Sequence, residues 1–293
     1  MIKDFVFDGT NNSPIRFKLY SAEKPRAVLV VIHGMQEHSG RYNEFALKMV
    51  EQNISVITSD LRGHGDNIQF APGLDEGSIY LNIVQDQKDI INKAREVVPN
   101  VPVVVLGHSY GSFVTQRLIR DRVNVDKFIL SGSSYMKGAI VSLGLGVAKL
   151  TKLFKGREKP AIMIENMSIK GYGKKFENGN WLSRDEEVWN EYREDNKCGQ
   201  TFPVAFYESM FTELPKNYSN LKNSVGYRPT IFILSGDNDP VGNFGKGVNK
   251  LASVYEKAGF DVSTRLYEGG RHEMLNEINK SDVIKDIVEY ILK

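Results

Sequence analysis

The stretch VVVLGHSYGS, residues 103–112, runs four apolar residues into a turn where a serine stands between two glycines. A nucleophile at a sharp turn between a strand and a helix has strained backbone angles, and side chains two positions away would collide with neighbouring backbone. Gly107 and Gly111 remove those side chains. The next segment is helical, and its N-terminal N–H groups favour negative charge at the turn. The pattern therefore predicts a nucleophilic Ser109, although a bare G-x-S-x-G also occurs in ordinary turns.

A reactive serine needs a base, and the base needs an acid that orients it; on this architecture the chain order is serine, acid, histidine. Of five histidines, only His272 follows the last predicted strand, in YEGGRHEML, so we expect it to be the base. The segment ILSGDNDPVG offers Asp237 and Asp239. Asp239 lies further beyond its strand, before Pro240, where a loop can direct it at His272. We favour Asp239 as the acid and expect Asp237 to bond to its own turn.

Two backbone donors are needed for the negative oxygen that develops during acyl transfer. The N–H after the nucleophile is that of Tyr110, and the loop HGMQEHSGRY after the first parallel strand offers that of Met35. Asp60, Arg62 and His64, in SDLRGHGDN, are expected to form a polar network that supports the site without taking part in catalysis.

Strand and helix patterns alternate along the chain. Two alternating segments around Phe5 and Ile15 flank turn-forming residues 10–14 and predict an antiparallel hairpin. Apolar runs then begin at residues 27, 54, 101, 127, 229 and 263, with helical periodicity at 42–52, 83–97, 110–121, 245–258 and 281–292. This order predicts an α/β fold, a mostly parallel sheet flanked by helices, whose ligands bind at the carboxyl ends of the strands.

Residues 135–228 interrupt that alternation, since a connection in such folds usually takes about 2–6 residues. We therefore predict an α/β core of residues 1–134 and 229–293 and an inserted, mainly helical cap of residues 135–228. Apolar residues three or four apart predict one helix face in the cap, although Gly144 and Gly146 weaken that helix. The face consists of Ile140, Leu143, Val147, Leu150 and Phe154. Two interpretations stay open: transient contact with lipid aggregates, or burial in the core.

Composition excludes several classes of function. The formal net charge of +2 gives no field that would attract nucleic acid. The single cysteine, Cys198, cannot form an intramolecular disulfide, and the N-terminal residues lack the apolar region of a signal peptide, so we expect a cytoplasmic protein. His272-Glu273 is not part of an HExxH helix, and GLGVAKL, residues 143–149, follows no strand. We accordingly expect no metal and no cofactor.

The blocks HGMQEHSGRY, DLRGHG, GHSYGS, SGDNDPVG and YEGGRHEMLNE resemble, in the same order, those of the α/β-hydrolase superfamily, in its monoacylglycerol lipase and lysophospholipase-like branch, which is grouped with serine aminopeptidases. The likeness spans nearly the whole chain. It implies an α/β-hydrolase fold, a triad of Ser109, Asp239 and His272, and an oxyanion hole from Met35 and Tyr110. Residues 195–199, Asp-Asn-Lys-Cys-Gly, depart from the branch's usual Asp-Pro-x-Cys-Gly, which leaves the substrate open.

Three functions follow from these observations. The first is a serine hydrolase acting on a small-molecule acyl ester, such as a monoacylglycerol or lysophospholipid. The second is an aminopeptidase, which would need acidic groups for the substrate ammonium; Glu186, Glu187, Glu191 and Glu194 supply charge, but their spacing is typical of a solvated helix face. The third is a ligand-binding protein that has lost catalysis. The oligomeric state is not indicated by the sequence.

Overall fold

A computed structural model describes residues 1–9, 13–221 and 226–293. Over these residues the strands are β1 Ile2–Asp8, β2 Pro14–Tyr20, β3 Ala27–Ile32, β4 Ile54–Thr58, β5 Val103–His108, β6 Lys127–Ser131, β7 Thr230–Gly236 and β8 Asp261–Tyr267. The helices are α1 Asn43–Glu51, α2 Ile79–Val97, α3 Tyr110–Arg120, α4 Ala139–Lys155, α5 Ile162–Met167, α6 Ile169–Gly173, α7 Glu186–Glu194, α8 Val204–Glu213, α9 Lys246–Lys257 and α10 Lys280–Leu292. Short 3-10 turns occupy Ser39–Tyr42, Leu214–Tyr218 and Met274–Asn276.

The strands form one eight-stranded sheet in the order β1-β2-β4-β3-β5-β6-β7-β8. The β1–β2 and β2–β4 pairs are antiparallel, and every other neighbouring pair is parallel. The predicted N-terminal hairpin and the mostly parallel sheet are therefore confirmed. Of the predicted turn, residues 10–12 lie outside the described residues.

Helices cover both faces of this sheet. Helices α2, α3 and α9 pack with the cap helix α8 on one face, and α1 and α10 pack on the other. The central strands β3 and β5 are buried at every position, because each has helices above and below it. The apolar runs from which these strands were predicted thus reflect burial on both faces.

The described part of residues 132–229 forms α4 to α8 between β6 and β7, and we call residues 135–228 the cap segment. It is mainly helical, as expected, but residues 222–225 lie outside the described residues. The division at 134/135 and 228/229 stays a prediction about domain organisation.

Helix α4 forms despite its two glycines, and one of them has a packing role. A Cβ on Gly144 would lie 2.8 Å from a ring carbon of Phe211, so the glycine lets α4 approach α8 closely. The buried positions of α4 are Val141 and Ala148. Most of the predicted apolar stripe faces away from the core, since Ile140 is 85% exposed and Phe154 80% exposed, whereas Val147 is partly buried and packs against the core. The interpretation of this stripe as buried core is therefore wrong for all of its residues but Val147.

Candidate active site

Ser109 lies between the end of β5 and the start of α3. Its φ of 50° and ψ of −119° place a non-glycine residue in the region that favours glycine, at a cost of about 1–3 kcal/mol. The flanking glycines permit this turn, as predicted. A Cβ on Gly107 would overlap Thr115 Oγ1, and one on Gly111 would overlap the carbonyl oxygen of Ile32 in β3. The serine is thus held at the sheet edge where the parallel strands end.

Asp239 and His272 are bonded to each other, although 33 positions separate them. His272 Nδ1 lies 3.0 Å from Asp239 Oδ2, and both side chains are almost completely buried. Asp239 is itself held by Ser235 Oγ, 2.9 Å from Oδ2, and by the Val241 N–H, 2.8 Å from Oδ1. Since the carboxylate accepts from Nδ1, the tautomer that fits carries its proton there and leaves Nε2 as an acceptor.

Ser109 and His272 line the same cavity, but they are not hydrogen-bonded in this structure. His272 Nε2 is buried and has no hydrogen-bond partner among the described residues. The imidazole is flanked by the rings of His108, at 4.8 Å between centroids, and of Trp181 in the cap segment, at 5.0 Å. The structure therefore brings together the residues predicted as acid and base, and places the serine at the same cavity.

Charge sets the protonation of this pair. Burial lowers the pKa of His272, but the Asp239 carboxylate, its hydrogen bond and the nearby Glu273 and Glu37 outweigh burial, so the net pKa lies above its usual value. Burial raises the pKa of Asp239, yet attraction to His272 and its hydrogen bonds hold the net value below normal. In contrast, burial and then the charge of His272 lower the pKa of His108 to about 4.

Of the two expected oxyanion donors, Met35 lines the cavity that holds Ser109, and Tyr110 follows Ser109 directly in the chain. Met35 follows β3 in the turn of residues 34–37, and Tyr110 begins α3. The N–H groups of Ser112 and Phe113 both donate to the Ser109 carbonyl. Within the described ranges, the N–H groups of Met35 and Tyr110 donate to no other group of the chain. Both donors are thus available.

The other predicted polar residues have separate structural roles. Asp237 Oδ1 accepts from the Gly269 N–H at 2.8 Å, so it anchors the loop before His272 and does not bond within its own turn as expected. Asp60 accepts from the Ser39 and Asp66 N–H groups. The expected polar network of Asp60, Arg62 and His64 is made through the backbone: Asp60 accepts from Asp66 N–H, and His64 contacts the carbonyl oxygen of Arg62, but no hydrogen bond between the three side chains is found among the described residues.

Arg62 is a buried ion-pair partner of Asp86 and Asp75, which joins the loop after β4 to α2 and the segment before it. His64 Nδ1 lies 2.9 Å from the Arg62 carbonyl oxygen. Burial lowers the pKa of His64 to about 3, so it stays neutral. None of these side chains lines the cavity that holds Ser109.

A buried ionic cluster beside the cavity was not predicted from the sequence. Arg41 donates to both carboxylate oxygens of Glu273 at 2.7 Å and to Glu37 at 2.9 Å. Glu37 also accepts from the Gly34 N–H and, at 2.9 Å, from the phenol hydroxyl of Tyr42. The signals were the four-residue spacing of Glu37 and Arg41 and the position of Glu273 directly after the histidine. The cluster joins the loop after β3 to the loop that carries His272.

A second polar cluster joins the loop after β3 to the cap segment. His38, Asp195 and Cys198 place potential ligand atoms within 4.8 Å of one another. His38 Nδ1 accepts from the Gly40 N–H, so its Nε2 carries a proton and donates to Asp195 Oδ2 at 2.7 Å. Burial raises the pKa of the Cys198 thiol well above its ordinary range. Hydrogen bonding explains this cluster, and the absence of a metal site stays a prediction.

The cavity itself is small. Its volume is about 30 Å³, whereas sites for drug-sized ligands hold about 300–1,000 Å³. The cap segment closes it with Ile169, Trp181, Leu182 and Tyr192. A drug-sized ligand therefore does not fit into the cavity in this conformation. Among the described residues, none of the helices is both long and apolar enough to span a membrane.

An eight-stranded, mostly parallel sheet with helices on both faces and a serine at the turn after its central strand defines an α/β-hydrolase. Residues 23–279 match the family described as "Serine aminopeptidase, S33", so the chain belongs to that family, and it is a serine hydrolase. It is similar to a monoacylglycerol lipase of Mycolicibacterium smegmatis, at 27% identity over 98% of this chain and 95% of the relative.

Two further comparisons agree. Phospholipase YtpA of Bacillus subtilis is 25% identical over 91% of this chain and 95% of its own length. A thermostable carboxyl esterase from Bacillus coagulans has the same fold, with a TM-score of 0.86 at 24% identity, covering 99% of this chain and 97% of that one. The α/β-hydrolase fold expected from the sequence is thus confirmed, and the chain is a monoacylglycerol lipase-like hydrolase.

Proposed function

We propose that this protein hydrolyses carboxylic esters of acyl chains with Ser109 as nucleophile, His272 as general base and Asp239 as the residue that orients the base. The observation that carries the proposal is the buried Asp239–His272 hydrogen bond, which leaves Nε2 of the histidine as an unbonded acceptor at the cavity of Ser109. A buried acceptor without a partner costs free energy, so its presence beside a strained serine favours a functional role.

The reaction conserves its protons within the site. Ser109 Oγ attacks the acyl carbon while His272 Nε2 takes the hydroxyl proton, and the carbonyl oxygen becomes negative. The tetrahedral intermediate collapses, the bond to the leaving oxygen breaks, and His272 returns the proton to the departing alcohol. Water then attacks the acyl-enzyme, giving its proton to His272, and the carboxylic acid leaves as Ser109 regains the proton.

The N–H groups of Met35 and Tyr110 stabilise the negative oxygen in both tetrahedral intermediates. Their support is twofold: both lie beside Ser109, and neither donates elsewhere within the described parts of the chain. The positive end of α3 adds to the stabilisation, because Tyr110 is its first residue. Losing one such donor typically costs about 10²–10³ in kcat.

Monoacylglycerols and lysophospholipids are the substrates that we propose. The support is that the similar proteins include one named a monoacylglycerol lipase and one named a phospholipase. The cap residues at the cavity are mostly apolar or aromatic, which suits an acyl chain. A peptidase would need a free carboxylate at the cavity to bind the substrate ammonium. Among the described residues that line the cavity, the carboxylates are those of Glu37 and Glu273, and both are paired with Arg41. The four glutamates of α7 are exposed to solvent.

The outer face of α4 supports transient contact with lipid aggregates. Exposed apolar side chains continue from α4 into α5, where Ile162 and Met163 are each 54% exposed. Residues 137–159 also hold six basic residues and one acidic residue, whereas the whole chain has a net charge of only +2. A segment that carries both an exposed apolar face and several basic residues fits an anionic lipid surface.

Labelling with a fluorophosphonate tests the catalytic assignment. We expect stoichiometric modification of Ser109, none in Ser109→Ala, and unchanged labelling in Ser112→Ala, whose hydroxyl bonds only to Ser109 O and Ser133 Oγ. An unreactive Ser109 would instead favour a ligand-binding protein. Turnover of aryl esters, monoacylglycerols, lysophospholipids and aminoacyl amides then ranks the substrates, and faster amide than ester turnover would favour the peptidase.

A further inference from the structure

Gln36 follows Met35 in the turn after β3, and the cap segment is hydrogen-bonded to this turn through Gln36. Its φ of 60° is left-handed, and its side chain is buried, with 4% exposed. Such a backbone conformation in a glutamine costs free energy and persists only where the surroundings hold it. The contacts that hold it come from the cap segment.

Three hydrogen bonds join Gln36 to three different parts of the cap segment. Its Nε2 donates to Glu165 Oε1 of α5 at 2.9 Å. Its carbonyl oxygen accepts from the Gly199 N–H at 2.9 Å and from the Tyr192 hydroxyl of α7 at 3.1 Å. Both the amide and the carbonyl oxygen of this residue are therefore fixed by elements that lie more than a hundred positions away in the chain.

Glu165 is a fixed partner and not a mobile surface group. Only 3% of it is exposed, and its Oε1 also accepts from the Phe202 N–H at 2.9 Å and the Tyr207 hydroxyl at 3.1 Å. Glu165 does not line the cavity of Ser109. Any effect of Glu165 on the reaction must therefore pass through the residues that it holds.

The turn is also held from the core side, where the Gly34 N–H donates to Glu37 Oε1. Met35 lies between these two anchors, so the direction of its N–H depends on both. Because oxyanion stabilisation falls steeply with misdirected donors, a small rotation of this peptide changes the rate more than it changes substrate binding.

We propose that Gln36 is a positioning residue through which the cap segment, by way of Glu165 and Tyr192, sets the direction of the Met35 N–H. The inference rests on the proposed function, because it requires Met35 to be an oxyanion donor.

The test uses Gln36→Met, which keeps the length of the side chain but removes the amide, and the pair Glu165→Leu and Glu165→Gln, of which only the second keeps an oxygen acceptor. Tyr207→Phe is the matched control, because it removes another bond to Glu165 and leaves the bond to Gln36. Rates on a soluble aryl ester are expressed per mole of Ser109 labelled to completion by a fluorophosphonate, so that unfolded protein does not count.

We expect Gln36→Met and Glu165→Leu to lower kcat by about ten-fold or more, with KM changed by less than about two-fold and the pH profile unchanged. Glu165→Gln and Tyr207→Phe should stay within about two-fold of the wild-type kcat. The double variant Gln36→Met/Glu165→Leu should be no slower than the slower single variant, since both act on one path.

The proposal is overturned if kcat stays at the wild-type value while only the melting temperature falls, or if the two substitutions lower kcat independently. An effect confined to KM also overturns it. These outcomes leave the proposed function intact as long as Ser109 is labelled and turns over esters. A Ser109 that cannot be labelled in the wild-type protein overturns both.

Discussion

The apolar residues of the central strands are buried, whereas most of those in helix α4 are exposed to solvent. Val28 and Val30 of β3 and Val105 of β5 have no exposed surface, whereas Ile140 and Phe154 of α4 are at least 80% exposed. The buried strands hold a serine in a strained turn, which needs a rigid support. Exposure of an apolar helix face to water is unfavourable, so this face is suited to bind an apolar partner. The comparison teaches that one region buries its apolar residues to support the serine turn, whereas the other leaves them on the surface.

Removing the nucleophile gives the largest expected effect on the sheet side of this comparison. Ser109→Ala should lower kcat on esters by about 10⁶-fold, because no other group in the site can form the acyl-enzyme. Its melting temperature should match that of the wild-type protein, which a thermal unfolding scan measures. A variant that retains wild-type ester turnover would refute the assignment of Ser109.

Changing the acid comes next. Asp239→Asn should lower kcat by about 10⁴-fold, because an amide favours the wrong tautomer of His272. Asp237→Asn is the matched control: that side chain anchors Gly269, so its kcat should change by only a few-fold. Steady-state kinetics on an aryl ester compare the two. If Asp237→Asn is the slower variant, the choice between the aspartates is reversed.

Two glycine substitutions contrast the regions in stability. Gly111→Ala should destabilise the protein by about 1–3 kcal/mol or more, because its Cβ would overlap the carbonyl oxygen of Ile32. Gly146→Ala in α4 meets no atom within 4 Å and should raise stability by up to about 1 kcal/mol through helix propensity. Denaturant unfolding measures both. Equal effects would mean that α4 is packed as tightly as the serine turn.

The pH dependence of ester turnover reports the base. Because the pKa of His272 is held above its ordinary value of 6.5, the neutral form is lost as the pH falls through that raised pKa. We expect kcat/KM to fall about ten-fold per pH unit below a midpoint above 6.5. His108, with a pKa lowered to about 4, does not contribute to this limb. A profile that is flat down to pH ~5 would contradict a histidine base.

The charge of Glu273 provides a second test of the pH profile. Glu273 raises the pKa of His272, so Glu273→Gln should move the midpoint of kcat/KM to lower pH. The Arg41 charge, left with Glu37 alone, acts in the same direction, so a midpoint that stays in place or moves to higher pH would contradict this role of Glu273. The measurement is kcat/KM on a soluble ester, determined across roughly pH 5–9 for the wild-type protein and the variant.

The smallest expected effect lies on the cap side. The double variant Ile140→Ser/Phe154→Ser should change the free energy of unfolding by less than about 0.5 kcal/mol per position, since both side chains are exposed. Turnover of a soluble aryl ester should stay the same. Binding to vesicles with anionic lipid, measured by co-sedimentation, should fall relative to the wild-type protein. Unchanged binding would remove α4 from the lipid-contact proposal.

Much of the sheet and of the site was predictable because the signals are local. The serine turn requires Gly107 and Gly111 within four positions of each other, and chain order alone separated His272 from the other histidines. The role of Asp237 was harder, since its partner is Gly269 across the sheet edge. The stripe of α4 was visible as a pattern, but periodicity shows only that one face is apolar, and the direction of that face depends on what packs against the helix.

Local patterns were enough to predict the alternation of strands and helices, the serine turn and the three residues proposed for catalysis, because burial periodicity and backbone sterics act over a few neighbouring residues. The groups that surround these residues depend on how the whole chain packs. Gln36 meets Glu165 across 129 positions, and Arg41 meets Glu273 across 232. Such pairs form when the packing of the sheet brings distant loops together, and no local pattern in either segment encodes the partner.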